Sequence, residues 1–429
     1  MSIVKPVHAP QTGFAVDGDE LQVGGINLSL LAERVGSTPF FAYDRALLSQ
    51  RVAQVKAVLP AGLRLHYSIK ANPMPALVQH MAGMVDGLDV ASAQELRIAL
   101  DTGCDPAAIA FAGPGKTDAE LRQALAAGIC INLESLREID TVARLACELH
   151  VTPNVILRIN PDFELKSSGM RMGGGAKPFG IDAEQAPGAM ARLAEHGIAL
   201  LGFHIFSGSQ SLKADAIIDA HTRSVALAQQ LAEYATAPLT MLNLGAGFGI
   251  PYFPGEQPLA LDAIGANLAQ CVASLRGRLE GARVSIEAGR YLVGEAGVYV
   301  ARVTDRKVSR GQVFLVTDGG MHHHLAASGN LGQVIRKNYP VAIGNRMAAT
   351  ETETVSVVGP LCTPLDILAD RMALPAAVPG DLVVVFQSGA YGLSASPVGF
   401  LGHPVACEVL VGVAPGAGKS NAMQEKGLT

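Results

Sequence analysis

A parallel (β/α)8 barrel joined to a second, β-rich domain is the fold this sequence predicts, on three observations. Eight short apolar runs of strand character alternate with segments whose apolar residues recur at three and four, as core-facing helices require. The alternation fits within roughly 230 residues, the length scale of such a barrel; an open doubly wound sheet shares the pattern and stands as the alternative. After residue 291 strands follow one another with few helices between them, the texture of a separate β domain.

In chain order the barrel strands are LRLHYSIK, GLDVA, AIAFAG, ICINLE, NVILRIN, LLGFHIF, LTMLNLG and RVSIEAG. Seven helical connections separate them, among them SAQELRIALDTG and TDAELRQALAAG, each closing on the glycine that favours a helix C-terminus. The barrel is therefore expected over residues 45–290, and the β-rich domain over 1–44 and 291–429. The strands of that second domain are VYVARVTDRKV, GQVFLVTDGG, TETVSVVGPLC, DLVVVFQSGAY and ACEVLVGV, with LQVGGINL as a further candidate from the N-terminal side. The tail after residue 413 is small and polar and is expected to fray. Its GAGKS ends like a phosphate-binding loop, but the required first glycine falls on Val413 and no helix-length segment follows.

Bulk properties exclude several classes. A 429-residue chain with 49% hydrophobic and 17% charged residues describes a well-packed soluble protein of more than one core. The formal net charge of -5 leaves no basic footprint for nucleic acid or an anionic membrane. No apolar run reaches the length of a membrane span, and MSIVKPVHAPQTG lacks the apolar core of a signal peptide, so a cytoplasmic location is expected. The six cysteines are scattered without a CxxC pair, which argues against a disulfide framework or zinc ribbon and for small core residues.

Lys70 closes the first strand, in LHYSIKAN. A buried ammonium is costly to desolvate, so a lysine there either snorkels to solvent or does amine chemistry. Barrel chemistry gathers at the C-terminal ends of the strands, and unusual residues fall at those ends: Asp89, Arg158, His204, Phe206, the GAGFG stretch with Gly245, Ala246 and Gly247, then Glu287 and Arg290. The alternating glycines let backbone N–H groups approach a phosphate, and Arg290 adds a bidentate clamp. As a dinucleotide fingerprint the stretch fails, because Ile250 stands where the third glycine should be. A lysine amine, an anchored phosphate monoester and an acid beside an aromatic ring are the parts pyridoxal phosphate needs. Lys70 would hold the aldehyde as a Schiff base, and Glu287 would protonate the pyridine nitrogen.

At this point YSIKAN, GLDVASAQEL, HIFSGSQ, NLGAGFG, EAGRYLVGEAG, GPLCTPLD and SGAYG resemble, in order, the motifs of the fold-type III pyridoxal-phosphate decarboxylases, the group of diaminopimelate, ornithine and arginine decarboxylases. The resemblance runs over residues 36–411 and implies an alanine-racemase-like barrel, a β-sandwich domain and a head-to-tail homodimer with shared active sites. It implies that Lys70 is the Schiff-base lysine, that Ser209, Gly247, Arg290 and Tyr391 bind phosphate, and that Glu287 meets the pyridine nitrogen. It further implies that Cys362 reaches in from the other subunit to protonate the decarboxylated carbanion, and that Asp89 and Glu95 are acids near the lysine.

Three departures from the family pattern stand out. Phe206 occupies the place of a histidine that stacks on the pyridine ring, EAGR replaces EPGR, and Thr363 follows Cys362 where diamine-specific members carry Asp or Glu for the distal amino group. A hydroxyl cannot offset a buried ammonium. The expected substrate is thus an L-amino acid or amino-acyl derivative without a free distal ammonium, free or carrier-tethered, with diaminopimelate as the alternative. GPLCTP, DGGMHHHLA and SPVGFLGHP are most similar to glutamyl carrier-protein decarboxylases and to those of exosortase and exopolysaccharide loci.

Thr363, His323, Arg336 and Tyr339 are the substrate-side candidates. His322 and His324 would share a strand face, but no carboxylate or cysteine lies at ligand spacing, so a polar pocket wall is expected there and no metal. His403 either lines that pocket or is structural. A racemase of this fold would prefer a basic partner at the ring nitrogen, against Glu287. A non-catalytic carrier of the cofactor would lack the second domain, and a regulatory homologue would have lost Lys70.

Overall fold

The computed structural model describes residues 6–165, 169–333 and 335–413, so the expected fraying and the GAGKS run lie outside the described residues. The chain divides into two compact units: Val52–Pro251 with Gln257–Tyr291, and Met1–Arg51 with Tyr252–Glu256 and Leu292–Thr429.

In the first unit the eight expected runs all form strands: β1 Arg64–Ser68, β2 Gly87–Val90, β3 Ile109–Phe111, β4 Cys130–Leu133, β5 Asn154–Asn160, β6 Leu200–Ile205, β7 Met241–Asn243 and β8 Arg283–Ala288. Each pairs in parallel with its successor, and β8 returns to β1 with Glu287 opposite His66. The sheet is closed, which excludes the open-sheet alternative. The connections are α1 Pro75–Ala82, α2 Ala93–Asp101, α3 Asp118–Ala127, α4 Leu136–Leu149, α5 Ala186–Glu195, α6 Ala214–Ala232 and α7 Asp262–Ala273.

Local chemistry starts the helices that follow β2, β3 and β4. The side chains of Ser92, Thr117 and Ser135 each accept the N–H three residues on, and Glu120 returns the bond to make a capping box. Such caps contribute about 1 kcal/mol each and fix where each βα turn delivers its chain.

Inside the barrel the strand alternation separates two layers. Ala110, Cys130 and Ile156, packed against Leu201 and Met241, make an apolar plug toward the N-terminal ends. Burial pushes the Cys130 thiol up to about 12, so it behaves as a small hydrophobe. Of the other cysteines only Cys271 is buried; Cys147, Cys362 and Cys407 are exposed, against the expectation of core residues. The polar residues lie toward the other end of the strands.

The second unit is a mixed eight-stranded sheet. Its spine is the 13-residue strand Gly297–Ser309, which pairs with Phe40–Asp44 and Leu382–Val385 over its first half and with Gln312–Thr317 over its second. A register shift between Val303 and Asp305 marks the point where the strand passes from one set of partners to the other, as a bulge allows. LQVGGINL does not join this sheet. It forms a small separate sheet with Val16–Asp17, and Leu21 and Val23 bury against Phe40, Val298 and Val384. No helix among the described residues is long and apolar enough to cross a membrane.

Candidate active site

Lys70 lies in the short turn Ile69–Ala71 directly after β1, exposed between two buried neighbours. The turn is held by the Tyr67 hydroxyl, which donates to the Asn72 carbonyl at 2.8 Å. The lysine is thus presented at the C-terminal rim of the barrel. Below it, β1 contributes His66, β2 Asp89, β4 Asn132, β5 Arg158, β6 His204, β7 Asn243 and β8 Glu287.

These side chains form a connected set. His66 Nδ1 is 3.3 Å from Asp89 Oδ1, Asn132 Nδ2 is 3.1 Å from His204 Nδ1, and His204 Nε2 is 3.5 Å from Glu287 Oε1. The Asn243 amide donates to Glu287 Oε1 at 2.5 Å, and the Gly245 N–H donates to Asn243 Oδ1 at 2.9 Å. Burial and the Arg158 cation push His204 down to about 3, so its imidazole is neutral. Its Nδ1 meets the Asn132 amide, while its buried Nε2 makes no hydrogen bond and lies just beyond bonding reach of Glu287.

Burial and the Glu287 charge raise Asp89 to about 6. Burial alone would lower His66, but Asp89 outweighs it and the net shift is upward. Both groups therefore take up protons on folding, and the stability they contribute is lost as pH rises through their folded values. Asp89→Asn keeps an oxygen for His66 and removes that cost. Its unfolding free energy from urea titration should gain on the wild type between pH 4 and 6, by up to about 3 kcal/mol above pH 6. Parallel unfolding free energies for the two proteins across that range would contradict the shift.

Arg158 was expected to touch the cofactor. Its Nη1 donates to Glu134 Oε1 at 2.9 Å, and its guanidinium lies 5.2 Å from the Phe179 ring centre. Glu134 also accepts the Gly113 and Gly180 N–H groups, and Lys116 pairs with Glu138 at 3.2 Å. Burial opposes the Glu134 charge, but Arg158 and Lys116 hold it below the usual carboxylate range. This buried network ties together the loops after β3 and β4 and fixes Arg158 as a cation beside His204. Glu95, expected near the lysine, is raised by burial and faces the Lys70 charge, while its carboxylate accepts the Ala91 N–H at 2.7 Å.

The turn after β7 fits a phosphate. Gly245 and Gly247 have φ of 60° and 80°, left-handed values that a side chain would strain, and a Cβ at Gly245 would lie 2.2 Å from the Phe206 ring. The Gly245 amide is committed to Asn243. Among the described residues the N–H groups of Ala246 and Gly247 have no partner, which leaves two adjacent donors for an anion. Ser209 follows β6 in a short strand pair, and Arg290 opens the helix after β8. Phe206 packs on this turn, its ring 6.4 Å from His204. His221 of α6, which the sequence reading missed, is buried behind the turn, beside Ala246.

In the second unit Cys362 is exposed in the loop between Thr352–Val358 and Ile367–Pro375, beside half-buried Thr363. Asp366 holds this loop, its carboxylate accepting the Leu361 N–H at 2.8 Å and the Met321 N–H at 2.6 Å. Tyr391 has a φ of 53°, a strained value of the kind found at functional sites.

The other substrate-side candidates make contacts within this unit. His323 contacts Tyr299 Oη at 3.3 Å and the Pro404 carbonyl at 2.8 Å. Arg336 donates to the Ser328 and Ile367 carbonyls, and the Tyr339 ring lies tilted 4.6 Å from that of Tyr252. The expected strand through the histidine triplet is a turn instead, with the His323 and His324 N–H groups both bonding the Gly320 carbonyl. His322 and His324 therefore share no strand face. The His403 ring lies tilted 5.1 Å from that of His322.

A lysine at the rim of a closed parallel barrel, above an acid-bearing polar interior and beside a turn with two open amides, fits pyridoxal phosphate, and likeness to known proteins makes the class a pyridoxal-phosphate-dependent carboxy-lyase. The family model for the pyridoxal-dependent decarboxylase, pyridoxal binding domain, matches residues 45–294, and the chain belongs to that family. It is 39% identical to the L-glutamyl BtrI acyl-carrier-protein decarboxylase of Niallia circulans, covering 87% of this chain and 88% of that one. To diaminopimelate decarboxylase of Pseudomonas aeruginosa it is 32% identical over 88% and 89% of the two chains. The crystal structure of diaminopimelate decarboxylase from Helicobacter pylori with L-lysine superposes with a TM-score of 0.79 at 25% identity, over 89% of this chain and 94% of that one.

Proposed function

We propose that the protein removes the α-carboxylate, as CO2, from an L-amino-acyl group whose distal end carries no ammonium, best matched by a glutamyl thioester on a carrier protein. The observation that carries this is the Cys362 loop. Thr363 uses its hydroxyl to accept the Leu365 N–H at 3.3 Å, and both oxygens of Asp366, the one carboxylate between Gly359 and Asp366, are taken by backbone amides. Thr363 is uncharged and Asp366 is buried, so among the described residues the loop exposes no carboxylate that would offset a distal ammonium. The higher identity to a glutamyl carrier-protein decarboxylase than to diaminopimelate decarboxylases supports the same reading.

Bound pyridoxal phosphate supplies the electron sink for the pair released when the Cα–carboxylate bond breaks. Lys70 holds the cofactor covalently; Ser209, Ala246, Gly247, Arg290 and Tyr391 hold its phosphate; Glu287 keeps a proton at the ring nitrogen. His204, neutral and buried, packs beside Glu287 without adding a competing cation. Cys362 returns a proton to Cα. The test is CO2 release by the wild type from a glutamyl thioester on a carrier mimic, compared with free diaminopimelate. Preference for diaminopimelate would favour the second reading, an ordinary diaminopimelate decarboxylase.

The working form is proposed to be a cytoplasmic homodimer in which Cys362 and Tyr391 complete the partner's barrel site; six free cysteines suit a reducing compartment. Mixing inactive Lys70→Ala and Cys362→Ala subunits should then restore up to about a quarter of the sites when dimers exchange at random. No recovery despite demonstrated exchange would mean that each site is built within one chain.

A further inference from the structure

Asn243 ends β7 and is buried, and its one amide group is used twice. Its Nδ2 donates to Glu287 Oε1 at 2.5 Å, and its Oδ1 accepts the Gly245 N–H at 2.9 Å. The Gly245 donor fixes which end of the amide is oxygen, so the amide cannot be flipped without facing two donors toward each other. Glu287 Oε1 is thereby occupied, with His204 Nε2 a further 3.5 Å from it. Among the described residues Oε2 has no partner, and it is the oxygen left to meet a ring nitrogen.

We propose that Asn243 is a positioning residue that links two halves of the cofactor site, fixing the phosphate turn at Gly245 and turning Glu287 so that Oε2 faces the ring-nitrogen position. The inference rests on Glu287 being the ring-nitrogen partner. Anchoring of the phosphate and protonation of the ring are then set by a single side chain, and they can be uncoupled by changing one end of its amide. Asn243→Asp keeps an oxygen for Gly245 but puts a second carboxyl against Glu287, and the two must share one proton, so the titration at Glu287 changes. Asn243→Leu removes both bonds.

The experiment reads two quantities on the purified protein: the ratio of its affinities for pyridoxal phosphate and for pyridoxal, which isolates the phosphate, and the pH profile of the bound cofactor's visible absorption. Glu287 is faced by His204 from β6, His66 from β1 and Asp89 from β2, so the profile is measured in the otherwise unchanged barrel. For Asn243→Asp the affinity ratio should stay within about threefold of wild type while the profile moves by about one pH unit. For Asn243→Leu the ratio should also fall, about tenfold for the lost Gly245 bond. If the leucine variant does not fold, Asn243→Ala takes its place with the same expectation. An Asn243→Asp profile that coincides with wild type, or a leucine or alanine variant with the wild-type ratio, overturns the proposal. Glu287→Gln separates the two assignments: a moved profile there with an unmoved one in Asn243→Asp overturns the role of Asn243 alone, and an unmoved profile in Glu287→Gln overturns both.

Discussion

Lys70→Ala should lower CO2 release by at least about a thousandfold, roughly 4 kcal/mol of transition-state stabilisation, while leaving the folded state almost untouched. The two halves of that expectation come from different observations. The amine is exposed at the end of β1, in a turn held by Tyr67 and Asn72, so its removal should change stability by no more than about 0.5 kcal/mol. The catalytic loss follows from the need for a covalent anchor at the barrel rim. Lys116 is the rival lysine, but its nitrogen is buried, paired with Glu138 at 3.2 Å and donating to the Gly113 carbonyl at 2.6 Å. A nitrogen so engaged is not available as a nucleophile. Borohydride treatment of the yellow wild-type protein should bleach it and leave the pyridoxyl mass on the peptide containing Lys70. The mass on any other lysine, or an active Lys70→Ala enzyme, would remove the site assignment.

The barrel was legible because its strands are buried on both sides, so each reads as an unbroken apolar run bounded by turn residues. Phe40–Asp44 is equally buried but has only five residues and a proline before it, and it carried no alternation to separate it from a loop. Val341–Ile343 and Ile367–Pro375 were missed for related reasons, one being too short and the other interrupted by Asp370 and Arg371. Of the candidate site, the residues proposed at strand ends could be picked out by position: Lys70, Glu287, the glycine turn. His66, Asn132 and Asn243 were not, since each is one polar residue inside an apolar run and its importance depends on register between strands. Glu287 opposite His66, and Asn243 opposite Ser285, are facts of the closed sheet that no local pattern records. The Glu134 network with Lys116, Glu138 and Arg158 was hidden for the same reason, its members coming from three successive βα units. The histidine triplet misled because three adjacent imidazoles suggest a shared face, whereas the Gly319–Gly320 pair before them turns the chain.

Thr363→Glu should convert the enzyme toward diamino acid substrates, and the size of the change follows from the cost of an unpaired charge. A distal ammonium brought into the site of the wild type would meet a hydroxyl already capping Leu365 and an Asp366 whose oxygens are held by Leu361 and Met321. Leaving such a charge uncompensated costs about 3–5 kcal/mol, or two to three decades in specificity. Wild-type kcat/KM for ornithine, lysine and diaminopimelate should therefore fall two to three decades below that for an amino acid with an acylated or thioester-linked distal end. A carboxylate at 363 supplies the missing partner and should recover most of that interval for diaminopimelate, while repelling nothing in a neutral thioester and costing it only fit. The loop should tolerate the change, because Thr363 is only half buried and the Asp366 bonds that hold Leu361 do not involve it. Because the loss is one of ground-state and transition-state binding together, the recovery should appear mainly in KM. Efficient wild-type turnover of diaminopimelate, with no gain in Thr363→Glu, would mean that the distal ammonium finds its partner elsewhere and that the substrate carries a free amine after all.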